Sequence, residues 1–289
     1  MDKNNFLQDL KTLLAVPSYF NEEYKMIAYI EEVLSSIPNI KFNHDQYGNI
    51  YVTKGISEYY PLVCAHTDTV HHIDEYRIEE EIFEQGIILK GVKDVFIEGR
   101  NITVPSGCGG DNKTGIMVCL ELIKSQEILK AAFFFGEEKG CKGSTLADPA
   151  FFTNVGYCLE FDAPDDHWVT HVCFGQKLFD TNGEFWNIAK PIIDIHCDNK
   201  RDPYWNNHPY TDVYPLKALY DFSCLNYSSG YINMHTAEEK VFVPWVEKAL
   251  DTARTLLNAL GNIKYQYINN PLKIEDMRIG NLSQYIKFK

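Results

Sequence analysis

No stretch of the 289-residue chain supplies the roughly 18 consecutive apolar residues of a membrane-spanning helix. The opening Met1-Asp2-Lys3-Asn4-Asn5-Phe6 lacks the apolar core of a secretory signal, so a cytoplasmic protein without a membrane partner is expected. Positive charge is scarce as well. The 27 Lys and Arg face 40 Asp and Glu, leaving a net charge of -13 with no basic stripe, which argues against nucleic acid or an anionic membrane as partner. None of the 8 cysteines forms a CxxC pair, so neither a disulfide framework nor a thiolate zinc site is expected. The apolar settings of Cys64, Cys119 and Cys158 predict buried thiols instead. Repeats, low-complexity tracts and linker-like stretches are missing too. With 45% hydrophobic residues the chain can bury a large core, and residues 1–289 read as one domain.

What is present is an alternation of helix and strand patterns. Phe6, Leu7, Leu10, Leu13 and Leu14 recur at helical spacing, and Ile27, Ile30, Val33, Leu34 and Ile37 repeat it until Pro38. Ile40 to Phe42 and Ile50 to Val52 flank a turn at Asp45 to Asn49 and predict a hairpin. Pro61-Leu62-Val63-Cys64-Ala65 is a short unbroken apolar run, as in a strand covered on both faces. Residues 73–104 carry short strand signals around Gln85-Gly86 and predict a β flap. From Asp111 the order is helix, strand (131–135), helix (about 144–151) and strand (155–161), the pattern of a sheet with crossover helices. Residues 163–210, rich in Trp, Tyr, Asn and Asp, predict an irregular insert. A helix from 211–212 to 220, a strand over 227–234 running into His235, and an amphipathic helix from Val246 to Leu260 closed by Gly261 complete an α/β pattern.

Three polar clusters stand at the ends of these apolar runs. Ser106-Gly107-Cys108-Gly109-Gly110-Asp111 leads small residues into one acid where a loop becomes a helix, a place where a lone Asp would ordinarily be an N-cap. Ala65-His66-Thr67-Asp68 and Phe135-Gly136-Glu137-Glu138 end two other runs. A pair of divalent ions needs about four to five imidazole and carboxylate ligands, one of them bridging, with water or hydroxide held between the metals. His66 and Asp68 are two apart, so on an extended backbone they share a face. Glu137 and Glu138 are adjacent and point apart, so one can bind metal while the other carries a proton.

With Asp162 and Asn233-Met234-His235-Thr236, these motifs resemble in order and spacing the metal sites of the co-catalytic zinc exopeptidases of the M20, M28 and M42 families. The resemblance covers most of the chain and implies a three-layer α/β/α fold of the phosphorylase/hydrolase-like type, with a mixed central sheet. It implies His66 and Asp162 on one metal, Glu138 and His235 on the other, Asp111 bridging, Glu137 as general base and Asp68 orienting His66. It also implies a cis peptide at Asp111-Asn112 and two divalent ions, zinc first, with manganese or cobalt as alternatives. Glu160, two residues before Asp162, is a rival for that ligand position, but a ligand belongs at the exit of a strand more than inside it. The gap from Asp162 to His235 is too short for the full lid domain of many members, which favours the single-domain arrangement. Asp212 reads first as a helix cap and second as a residue near the substrate. His71 and His72 are expected at the surface or the pocket rim, and Trp168, Trp186, Trp205 and Trp245 as packing residues.

The expected activity is hydrolysis of short peptides, from the amino terminus first. A carboxypeptidase or an amidohydrolase acting on N-acyl amino acids uses the same metal core, and a catalytically silent scaffold is the alternative of another class. Retention of Glu137 beside five candidate ligands argues against the scaffold, since a scaffold needs no free base.

Overall fold

Two sheets organise the molecule, seen in a computed structural model that describes residues 3–72, 76–200, 202–208 and 210–268. Residues 73–75 of the expected flap, residues 201 and 209 of the expected insert, and the Trp205 side chain lie outside the described residues. Helices α1 (Lys3–Leu14) and α2 (Tyr24–Ser35) form where the apolar spacing predicts them and bury Leu10, Leu13, Ile30 and Leu34. The expected hairpin follows as β1 (Ile40–His44) and β2 (Ile50–Lys54), and then comes β3 (Tyr60–His66). Next are β4 (Arg77–Phe83), β5 (Gly86–Ile97) and β6 (Arg100–Pro105). Helix α3 (Gly110–Ser125), β7 (Leu129–Phe134), the short helices α4 (Lys142–Leu146) and α5 (Pro149–Phe152), and β8 (Val155–Ala163) continue the alternation. The rest is β9 (Val169–Cys173), β10 (Gln176–Lys177), α6 (Glu184–His196), β11 (Tyr204–His208), α7 (Val213–Leu219), β12 (Ser223–Ser228), β13 (Tyr231–Ile232), β14 (Lys240–Phe242) and α8 (Val243–Leu260).

The large sheet has the order β1-β2-β7-β3-β8-β12-β9-β10, with β11 beside β9. Its centre, β7-β3-β8-β12, is parallel, and the flanking pairs β1/β2, β2/β7, β12/β9 and β9/β10 are antiparallel. Every residue of β3, β7, β8 and β12 is buried, the condition for parallel strands covered on both faces. Helix α3 packs on β3 and β8, and α8 joins α3 and α6 in the same layer. The fold is thus the expected α/β type with a large mixed sheet.

Three expectations change. The helix expected over about 144–151 is divided, because the Asp148 side chain accepts from the Ala150 N–H at 3.0 Å and Pro149 starts a new helix. The strand expected over 227–234 is also broken. Its first part pairs in the large sheet as β12, then Gly230 at φ +97° turns the chain so that β13 pairs with β14 in the second sheet. The insert expected to be irregular contains β9, β10, α6 and β11, which extend the large sheet. The second sheet runs β13-β14-β5-β4 with β6 on β5, so the strands expected as a flap are joined by the chain that carries His235. All eight cysteines are buried as free thiols, and burial pushes Cys64 up to about 12.

Candidate active site

The carboxyl ends of parallel strands are where an α/β sheet presents side chains to a shared crevice. Strand β3 ends in His66, β7 runs on through Phe135 and Gly136 into Glu137 and Glu138, and β8 carries Asp162 one residue from its end. The turn Glu137–Lys139 lies between Gly136 at φ +61° and Gly140 at φ +95°, conformations that glycine adopts without a Cβ clash. Asp111 stands at the start of α3 with non-helical backbone angles, and the Asp111-Asn112 peptide is cis. His235 comes from the second sheet, on the turn between β13 and β14.

These residues meet around Asp111. Its Oδ1 is 3.2 Å from His66 Nε2, which is also 3.5 Å from Asp162 Oδ1. Its Oδ2 is 3.3 Å from His235 Nε2, which is 3.1 Å from Glu138 Oε1. The two oxygens of one carboxylate therefore face two different imidazole–carboxylate groups. Glu137 Oε2 is 3.9 Å from His66 Nε2, farther than the other carboxylates. Asp68 does more than the expected orienting of His66. His66 Nδ1 lies 3.0 Å from the Asp68 carbonyl oxygen and 3.4 Å from its carboxylate, while that carboxylate accepts the N–H groups of Glu137 at 2.9 Å and Glu138 at 3.1 Å.

Glu160 is not among the groups gathered around His66: its Oε2 takes the Thr211 hydroxyl at 3.0 Å. The same hydroxyl lies 2.6 Å from Asp162 Oδ2, and the Asn226 side chain accepts from the Asp162 N–H and donates to its carbonyl. Asp212 is not the expected cap, since its side chain bonds no N–H of α7 and instead accepts the Ser144 hydroxyl. His71 is largely buried and lies 3.1 Å from Glu239, whereas His72 is exposed as expected. Trp186 stacks on Phe179 and Trp245 on Phe242, in keeping with packing roles.

Carboxyl groups outnumber imidazoles here. Burial lifts Glu137 well above the usual carboxylate range; the His66 charge offsets this in part, and Asp162 and Glu138 add to it. Burial also raises Glu138 and Asp212 to about 7 each. Burial opposes ionisation of Asp111 too, but hydrogen bonds to His235 and His66 hold it well below the ordinary value. Burial likewise opposes protonation of His66, and the charge of Asp162 with contacts to Asp111 and Asp68 outweighs it. Hydrogen bonds to Asp111 and then Glu138 raise His235 to about 10. Five carboxylates, Asp68, Asp111, Glu137, Glu138 and Asp162, thus crowd two imidazoles. The donor set fits cations: His66, Asp111 and Asp162 form one group, and Asp111, Glu138 and His235 a second. Their separations of 3.1–3.5 Å bracket the edge of about 3.4 Å between ligands of a tetrahedral zinc ion.

No protein-family model matches the chain, and no curated protein matches its sequence. Solved structures do match. Aminopeptidase PepT from Bacillus cereus superposes with a TM-score of 0.69 at 13% identity, over 90% of this chain and 99% of that one. A tripeptidase from Staphylococcus aureus gives 0.67 at 11% identity, over 89% and 98%. An aminopeptidase from the archaeon Desulfurococcus kamchatkensis gives 0.60 at 14%, over 89% and 95%. The chain shares their fold.

Glu239, Thr211, Asn226 and Tyr231 were not singled out by sequence. Tyr231 places its hydroxyl 3.4 Å from Asp162.

Proposed function

We propose that the protein is a metal-dependent exopeptidase that removes residues from the amino terminus of short peptides. The observation that carries this reading is Asp111, with one carboxylate oxygen toward His66 and the other toward His235. His66 and Asp162 would hold one divalent ion, Glu138 and His235 a second, and Asp111 both. Mixed imidazole and carboxylate donors suit zinc, and manganese or cobalt less specifically. When bound, such ions polarise a carbonyl and make water a nucleophile at neutral pH.

The chain supplies the rest. Glu137, its Oε2 3.9 Å from His66 Nε2, stands beside this cluster without a place among those ligands, and burial raises its carboxyl, as a proton carrier needs. It takes the proton of the attacking water and returns it to the leaving amine. Asp68 fixes Glu137 and Glu138 together through their backbone N–H groups. The choice of the amino end over the carboxyl end is supported by the fold shared with structures described as aminopeptidases and a tripeptidase.

The test is a panel of free, N-acetylated and C-amidated di- and tripeptides with added zinc, manganese or cobalt, alongside elemental analysis. Free and C-amidated peptides are expected to lose their first residue, with close to two ions per chain. Preference for N-acetylated substrates would make the protein a deacylase or carboxypeptidase. Two bound ions without turnover would make it a scaffold.

A further inference from the structure

We propose that Glu239 is a positioning residue whose buried carboxylate fills an anion nest in the Cys108–Asp111 backbone and so fastens Asp111 to the segment that carries His235. Its Oε2 accepts from Cys108 N–H at 3.1 Å and Gly109 N–H at 2.5 Å, and its Oε1 accepts from Asp111 N–H at 3.1 Å. Convergent backbone N–H groups of this kind make a concavity for an anion, and bonds to a carboxylate are stronger than bonds between neutral groups. Glu239 is 1% exposed, so the occupant of this nest is built in. His71 Nε2 lies 3.1 Å from Oε2 but out of line for a hydrogen bond, so it makes no directed contact.

The small residues ahead of Asp111 gain a reason from this contact. Gly107 and Gly109 have φ of +73° and +66°, which turn the intervening N–H groups inward. A Cβ at Gly110 would lie 2.7 Å from Val241 Cγ2 and 2.8 Å from Tyr231 Cβ, both on the strands flanking the His235 turn. The loop backbone at Gly110 is therefore pressed against the side chains of those strands. A further bond runs the same way, from Gly107 N–H to Ala237 O at 2.8 Å, and within the His235 turn Glu239 N–H donates to Thr236 O at 3.2 Å. Glu239 is thus the side chain through which the first turn of α3, on the large sheet, is tied to the second sheet. Between those two bodies lies the 3.3 Å approach of Asp111 Oδ2 to His235 Nε2.

The inference rests on Asp111 and His235 being ligands of one ion, and its test separates the two claims. Calorimetric titration of metal-stripped protein with zinc would compare the natural chain, Glu239→Ala and Glu239→Gln. Both variants are expected to lose at least about 10-fold in affinity for the ion shared by Asp111 and His235, the lower end of the effect of groups that hold ligands, with a smaller loss at the other ion that Asp111 also holds. In Glu239→Ala excess formate should refill the nest and restore binding. In Glu239→Gln it should not, because the amide occupies the nest and turns a donor toward its N–H groups. Hydrogen exchange should speed at the Cys108, Gly109 and Asp111 amides and stay unchanged in β3 and β7. Natural affinity with unchanged exchange in Glu239→Ala would overturn the proposal. So would weakening without response to formate and without faster exchange at the three amides, the mark of a merely structural residue. Should Glu239→Ala fail to fold, the near-isosteric Glu239→Gln decides by the same exchange. If the natural chain binds no zinc, the metal reading fails, and the exchange of the three amides still decides the role of Glu239.

Discussion

Glu137 and Glu138 are neighbours in sequence, yet Glu138 lies 3.1 Å from His235 while Glu137 stays 3.9 Å from His66. Their replacement by Gln is therefore expected to have crossed outcomes. Glu137→Gln loses a proton carrier and no ligand, so metal content should stay near two ions while kcat falls at least about 100-fold. Glu138→Gln weakens a ligand, so metal content should fall and excess metal should restore part of the turnover. The reverse pattern in elemental analysis would exchange the two roles. His196, remote from the site, carries a pH effect. Its ring lies in the core with Nδ1 3.0 Å from Thr252 Oγ1, and burial, with the Lys248 charge, lowers it to about 3. Between that value and the ordinary value near 6.5 the unfolded chain binds the proton and the folded chain does not, so stability falls as pH falls. A loss of about 2 kcal/mol from pH 8 to pH 5 is expected from this group, and His196→Phe should flatten that part of the denaturant-midpoint profile. The seven site residues chosen from sequence come together, because His, Asp and Glu at the ends of apolar runs are conspicuous. Glu239 and Thr211 were not legible, because their meaning depends on backbone N–H groups and carboxylates distant in sequence.

Elements were legible where one period ran long enough. Helices α1, α2, α3 and α8 and strands β3, β7 and β8 each follow an amphipathic stripe or an apolar run. Short pieces were not. Asp148-Pro149 and Ser228-Ser229-Gly230 are breakers that local periodicity bridges, and β9 and β11 owe their pairing to strands far along the chain. Gly230 is the break with the largest consequence, since it transfers the chain from one sheet to the other. A Cβ there would lie 2.8 Å from the Val246 backbone nitrogen, in addition to the positive φ. Gly230→Ala is expected to cost roughly 1–2 kcal/mol from the left-handed conformation alone, and more from that contact. Chemical denaturation would measure it. A cost below a few tenths of a kcal/mol would show that the turn can re-form without glycine.

At the scale of the molecule, five candidate ligands come from two sheets: four stand on the large sheet or at the start of α3, and His235 hangs from the small one. Ligands that are mostly buried suit the end of a peptide more than the middle of a folded chain. Short peptides are expected to be cleaved and folded proteins left intact, with terminal amino acids the products from an unfolded protein such as casein. Mass spectrometry showing internal fragments without free amino acids would contradict this. The eight buried thiols, finally, give the folded chain an optical silence. A water-soluble disulfide reagent that colours on reaction should find no target in the native protein and eight in the unfolded one. The colour released over time then counts how often the core opens, so the chain carries its own clock for unfolding without any added probe.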